Sequence, residues 1–488
     1  MTAEAPNPPA PASRRSRFVR FLIRASVVVL IVLPVALVGY RGYELLATPD
    51  VAEPFDVEAF AAYSLPDERN AFVNYRKASE LLLRPAALAI TDQDLFPRNG
   101  DTLTPAEQDW EKASPAIRRW LEANRDALDE LRNGAVLAEC LPFTMTQVTG
   151  PDPLAFDWRG LQQCARLKSF EGAQLAAAGR FAAAWDCYRD LLRMGRHLSV
   201  RAPLNSASTG SWIIEVGADD ALAWSSKKGV TASDLKQAIR DVLAIEKMPA
   251  PASDRIKVEY LALRQFVETG TAYGETMPSW MFWTGYPAQM SRTCRLVVAN
   301  LLTQADRPRI LRAPVHPGEL EIYELDPAAP PDPRLRPPAE IERSAVTSAR
   351  LLGEALSRVA PTYSPDGRLA PADLRMRLLR VAIKMQDGCA QRLDALLLVL
   401  ALELHHREQG GFPASLDDLV RRGYLKSIPL DPYGKGEAFR YRREPDLKNG
   451  AVVWSIGPDG IDDGGDPDRY DDITVRVHVP GSQPPPPT

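Results

Sequence analysis

The spacing of apolar residues along this chain changes period twice. From residue 67 to about 408, apolar positions recur three and four apart, the pattern of helices burying one face. In DERNAFVNYRKASELLL (67–83), Phe72, Tyr75, Ala78 and Leu82 share such a face. Ser114-Pro115 supplies an N-cap and a proline at the first helical position, opening a helix that runs through Ile117, Trp120, Leu121, Leu128 and Leu131. Residues 161–198 predict a helical hairpin bent near Gly179, where Ala176–Ala178 and Ala182–Ala184 allow close approach. Thr231 and Asp234 make a capping box for a helix reaching towards Met248. Helical signal resumes at Ala345–Leu356. It is strong from Met385 to Glu408, with Leu393, Leu396, Leu397, Leu400 and Leu404 on one side.

After Gly410-Gly411 the pattern shortens. FPASLDDLVRRGYL predicts a brief helix capped by Ser415, with Asp418 completing the box. IPLDPYGKGEAFRYRRE, GAVVWSIGPDG and DDITVRVHV are extended, turn-bounded runs that read as antiparallel strands. The third pattern lies at the start. Ala25–Tyr40 carries no charge and follows Arg14, Arg15, Arg17, Arg20 and Arg24. As a helix that run spans roughly 24 Å, and Phe18–Ile23 extends it towards a bilayer core if Arg20 and Arg24 snorkel. No clear Ala-x-Ala site follows, so it reads as an uncleaved anchor, with a cleavable signal peptide as its rival. The basic flank places residues 1–17 in the cytoplasm and the bulk of the chain outside it.

Length and composition refine this picture. With 488 residues the chain exceeds one ordinary core. A net charge of −4 gives no pointer to nucleic acid. Prolines crowd 314–338 and 484–487, which read as a linker and a tail. The five cysteines lie far apart with no C-x-x-C pair, and Cys164 and Cys187 fall within helical patterns as buried thiols. MPSWMFWTGYPAQM (277–290), around Trp280 and Trp283, is either buried core or an exposed patch for a membrane or partner. No phosphate loop, dinucleotide fingerprint, nucleophile elbow or His-Glu-x-x-His occurs, and no enzyme is expected. His405 and His406 are adjacent and diverge on a helix; His405 and Glu408 are spaced as a surface polar pair.

The acidic run after the second strand is the strongest candidate site. Asp459–Asp472 holds seven aspartates among fourteen residues. Such a loop is either solvated acid or the seat of a cation, because clustered carboxylates repel. It does not fit an EF-hand: the twelfth position from Asp459 is Tyr470, and strands flank it.

The order long helix, Phe-Pro, short helix, DPYG (Asp431–Gly434), strand, WSIGPDG, acidic loop, DDI resembles the globular domain of the type II secretion major pseudopilin, over about 385–478. That resemblance implies one structural calcium ion held by Asp459, Asp472 and the carbonyl of Ile456. Asp462, Asp463, Asp466, Asp468 and Asp471 remain further candidates. The apolar N-terminal helix has no glutamate just inside it, and some 340 residues separate it from this domain, so a polymerising pilin is not expected. AGRFAAAWDCYRDLL (178–192) resembles the second half of one tetratricopeptide-type hairpin.

The expected fold is therefore mostly α: a cytoplasmic arm (1–17), a transmembrane helix (18–42), a helical-hairpin extracytoplasmic domain (55–312), a Pro-rich linker (313–340), a helical connector (341–384), an α+β pseudopilin-like domain (385–479) and a tail (480–488). The expected function is binding or scaffolding in the periplasm, anchored singly in the inner membrane, with an envelope protein as partner. The alternatives are an envelope hydrolase with its site in the helical domain, and a true secretion-machinery component.

Overall fold

The computed structural model describes residues 50–91, 109–148, 156–269, 271–272, 275–276, 286–306, 371–434, 436–444, 450–457, 462, 464–465 and 473–477, with isolated positions between 26 and 43. This part is mostly helical. α1 (Val57–Ala61), α2 (Ala71–Leu81), α3 (Pro115–Ala123), α4 (Arg125–Val136), α5 (Trp158–Ala177), α6 (Phe181–His197), α7 (Leu204–Ser225), α8 (Ala232–Glu246), α9 (Ala252–Thr269) and α10 (Tyr286–Gln304) form a helical body. A two-strand hairpin, β1 (Thr271–Ala272) and β2 (Glu275–Thr276), follows α9. Then come the 39-residue α11 (Pro371–Gln409), α12 (Asp417–Arg421) and a second sheet. That sheet is an antiparallel meander of β3 (Arg440–Glu444), β4 (Gly450–Ser455) and β5 (Ile473–Val477), with β4 central.

Several caps are those the sequence predicts. Ser114 Oγ accepts from the Ile117 amide at 3.2 Å, and both halves of the Thr231–Asp234 box are made. The predicted helix beyond Ser114, however, is two helices broken at Asn124. The Asn124 side chain accepts from the Leu83 amide at 2.7 Å and donates to the Trp120 carbonyl at 2.8 Å. These bonds satisfy the backbone at the bend, so the chain turns without orphaning polar groups. At α12 the N-cap is Leu416, one residue beyond the expected Ser415, while the Asp418 carboxylate accepts from the Ser415 backbone amide, half of the expected box, and from the Ala414 amide at 3.2 Å.

Small residues set how closely the helices cross. The α5–α6 bend is Gly179 at φ 73°, a left-handed conformation that favours glycine. At the α6–α7 crossing, a Cβ on Gly195 would lie 2.6 Å from the Gly210 carbonyl, and one on Gly210 would lie 2.6 Å from the Gly195 carbonyl. The two backbones touch there.

Two apolar cores result. One joins α2, α3, α5, α9 and α10. The other gathers α6, α7 and α8 around α11 and continues into Phe412, Leu419, Phe439, Ala451 and Val453 of the C-terminal module. The expected domain start at 385 thus falls inside α11, whose apolar residues serve body and module together. Leu393, Leu396–Leu402 and Leu404 are all buried, on every side of the helix rather than along one stripe. All five cysteines are buried and unpaired.

The expected anchor (18–42) apart from its isolated described positions, the 313–340 linker, the Ala345–Leu356 helix, Trp280–Trp283 and the 480–488 tail lie outside the described residues. Among the described residues no helix is long and apolar enough to cross a membrane.

The backbone contact at Gly195 gives a direct test. Gly195→Ala is expected to destabilise the protein by about 1–3 kcal/mol through overpacking. Gly388→Ala, in α11 with nothing within 4 Å of its would-be Cβ, is expected to be neutral or stabilising by up to about 1 kcal/mol. Chemical denaturation of the two variants beside wild type measures both.

Candidate functional site

The acidic loop begins where β4 ends, and its base is fixed by an aspartate from elsewhere. Asp431 of DPYG is 1% exposed. Its carboxylate accepts from Ser455 Oγ at 2.7 Å, the Ile456 amide at 3.0 Å and, within its own turn, the Tyr433 amide at 2.9 Å. Three donors satisfy the buried carboxylate at both oxygens. The bonds clamp DPYG to WSIG, so two motifs separated by 24 residues form one corner. Ile456 is buried there, and Gly457 follows at φ 68°. Gly434 packs on the Asp431 side chain, where a Cβ would meet Asp431 Cβ at 2.9 Å.

The described middle of the loop folds back on the sheet. Asp462 Oδ1 accepts from Trp454 Nε1 at 2.9 Å and from the Gly464 amide at 3.0 Å, and Oδ2 accepts from Arg440 Nε at 3.3 Å. The Trp454 bond, with Gly464 and Arg440 adding, holds Asp462 below the ordinary carboxylate range. Gly465, at φ 70°, lies against the Trp454 ring, and Arg442 sits over that ring and donates to the Gly464 carbonyl at 3.2 Å. Part of the positive charge expected near these aspartates is thus the protein's own, from Arg440 and Arg442.

Of the predicted calcium ligands, Ile456 and Asp462 are described; Asp459, Asp463, Asp466, Asp468, Asp471 and Asp472 lie outside the described residues. Among the described residues no group of three or more His, Cys, Asp or Glu side chains is gathered as a metal site. Asp462 is already engaged at both oxygens, which leaves it less to offer a cation than a free carboxylate. The chemistry of the loop, carboxylate and carbonyl oxygens with glycines at positive φ, suits a hard cation such as calcium.

The helical body holds charged and titratable groups that sequence reading did not single out. Lys168 on α5 is fully buried and closes on Glu171 at 2.9 Å and on Asp190 of α6 at 3.4 Å. Arg132 reaches Glu171 at 3.2 Å, and Cys187 Sγ donates to it at 3.6 Å. Burial pushes both carboxyls up; Lys168 and Arg132 overcome it at Glu171, whereas the looser contacts leave Asp190 raised. Nearby, Tyr75 Oη and His197 Nδ1 lie 2.7 Å apart with both residues buried. Burial, with Arg193 adding, pushes His197 down to about 3, so the imidazole is neutral. These sets sit between packed helices and bridge them.

At the far end of α11, His405 Nδ1 meets the Gly411 carbonyl at 2.7 Å and closes the helix terminus. It does not pair with Glu408, which instead accepts from Lys236 at 2.7 Å and Tyr424 at 2.6 Å, because α8 and the module flank it. His406 stacks on Phe412 at 4.8 Å. Glu403 is wholly buried, neither carboxyl oxygen has a hydrogen-bond partner among the described residues, and its one cation is Arg407 at 3.8 Å.

No family model, curated protein or solved structure matches the chain.

Two outcomes follow. Asp431→Ala strands the Ser455 and Ile456 donors in a buried corner and is expected to cost about 2–4 kcal/mol, read by denaturation with Trp454 fluorescence. Burial raises Glu403 from 4.5 to about 7. Its protonated form favours the folded state, so this contribution is complete below pH 4.5 and is lost as pH rises through 7. Glu403→Gln is expected to flatten that dependence and to exceed wild type in stability by about 1–3 kcal/mol at pH 8, measured by urea denaturation across pH.

Proposed function

We propose that this chain is a membrane-anchored binding or scaffold protein of the cell envelope, with its bulk in the periplasm and its C-terminal module stabilised by one structural calcium ion. The observation that carries the module's part of this reading is the Asp431 clamp. It joins DPYG to WSIG and fixes the mouth of the acidic loop. The resemblance to the type II secretion pseudopilin rests on those same two motifs. A three-stranded meander packed on the end of a long helix is consistent with it.

Asp459, Asp472 and the Ile456 carbonyl would hold the ion. Its chemistry would be neutralisation of the crowded carboxylates, which ties the two ends of the loop together without catalysis. The basic flank and the apolar run support the anchor, as does Val35, an apolar side chain on a described helical position that stands 66% exposed. The docking of α11 against α7 and α8 supports a single periplasmic unit able to present a partner surface, for which an envelope protein is the occupant proposed.

A thermal melt of the full chain in detergent, with calcium and then with chelator, tests the reading. Wild type is expected to gain about 2.7 kcal/mol at a hundredfold excess of calcium over Kd. The Asp459→Ala, Asp472→Ala double variant is expected to lose that gain. A wild-type melt indifferent to calcium removes the ion from the reading.

A further inference from the structure

Two arginines, on α6 and α9, are buried within electrostatic reach of each other and without an ion pair to a described carboxylate. Arg255 on α9 is 1% exposed and Arg196 on α6 is 6% exposed. Arg196 Nη2 donates to the Met248 carbonyl at 2.6 Å and, more weakly, to the Glu246 carbonyl at 3.5 Å; its Nε meets no partner among the described residues. Arg255 Nη2 donates to Gln386 Oε1 on α11, and its Nε and Nη1 meet no partner among the described residues. Neither guanidinium forms an ion pair within 4 Å with a described carboxylate.

The surrounding charges do not supply what is missing. Glu246 lies within electrostatic reach of Arg196, and Asp306 and Asp387 of Arg255, but burial outweighs them and holds both guanidiniums below their ordinary range, with Arg196 adding at Arg255. Asp306 spends one oxygen on the Ser253 amide at 3.0 Å. Cys389 lies within electrostatic reach of both guanidiniums and is 3.0 Å from Ser211 Oγ. Unpaired buried charge is costly, and like charges held together make it more so. Evolved cores pair such groups or remove them. A planar guanidinium with two unused N–H groups suits an oxyanion, and a second guanidinium within electrostatic reach adds further donors.

We propose that Arg196 and Arg255 form a binding site for a small oxyanion, a carboxylate or a phosphate. The anion bridges the two guanidiniums, takes the unused N–H groups and cancels their repulsion. It also joins α6 to α9, and because Arg255 holds Gln386 of α11, its binding steadies the contact between the helical body and the helix that carries the C-terminal module. The site is remote from the acidic loop and stands independently of calcium there.

Melting the full chain in detergent with sodium phosphate, sodium acetate or sodium chloride at matched ionic strength tests this. Phosphate or acetate is expected to raise Tm saturably by roughly 2 °C or more, while chloride leaves it flat. Whichever anion acts at the lower concentration identifies the chemistry. Arg255→Lys keeps the charge but loses the fork, and is expected to weaken the apparent affinity at least tenfold. Arg196→Lys, on the other helix, gives the same readout should the Arg255 variant fail to fold. A flat response of wild type to both oxyanions overturns the site. So does a rise that survives in both variants, which marks an adventitious ion only.

Discussion

Burial of the α11 apolar segment on all its faces is the constraint on which the rest of this structure depends. From Leu393 to Leu404 the helix has no solvent side, because α7 and α8 cover one flank and the C-terminal module covers another. Each buried leucine contributes on the order of 2 kcal/mol relative to exposure. A helix so apolar has no stable position in water alone, so body and module each supply a wall the other lacks. Polar contacts fix the register of this joint. Arg392 holds Glu215 at 2.7 Å and Asp219 at 3.4 Å on α7. Arg407 donates to the carbonyls of Ser225 and Lys227, closing the α7 terminus. Glu408 takes Lys236 from the body and Tyr424 from the module.

The same close packing forces charge into the interior, and the molecule treats these charges in different ways. The Lys168–Glu171–Asp190 set is paired, with Arg132 and Arg189 serving its ends. Removing one member would leave an uncompensated ion, so its role is to make one arrangement of α5 and α6 much better than its neighbours. Asp431 is satisfied by backbone and hydroxyl donors and orders a corner. Glu403 on α11 and the arginines Arg196 on α6 and Arg255 on α9 are not satisfied among the described residues. The helix that unites the fold therefore carries, in Glu403, a buried group whose protonation bears directly on it.

Much of the architecture was legible in the residues. The Phe72, Tyr75, Ala78, Leu82 stripe, the Gly179 bend, the Thr231 box and the three C-terminal strands follow from periodicity and turn chemistry alone. What periodicity could not carry was tertiary. Asn124 breaks a helix because Leu83, distant in sequence, offers it better hydrogen bonds than a continued turn would. The leucines of α11 read as one stripe, but the residues between them, Leu398 and Leu402, are equally buried, since only packing reveals a second wall. Asp431 carried a motif but no hint of its partner Ser455. Arg255 left a faint trace: it shares a helical face with Val258, Ala262 and Phe266, a charge within an apolar stripe. Its pairing with Arg196 required the fold.

Native-state hydrogen exchange on the full chain, comparing wild type with Leu400→Ala, tests the shared core most directly. Leu400 lies in the middle of the joint, and its truncation costs about 2–5 kcal/mol. If α11 serves both parts as one cooperative unit, amides of Ile239 and Val242 in α8 and of Val452 and Val453 in β4 lose protection together and by a similar factor. Loss of protection in β4 with α8 unchanged would show that the module and the body are separate units, and would contradict the shared core.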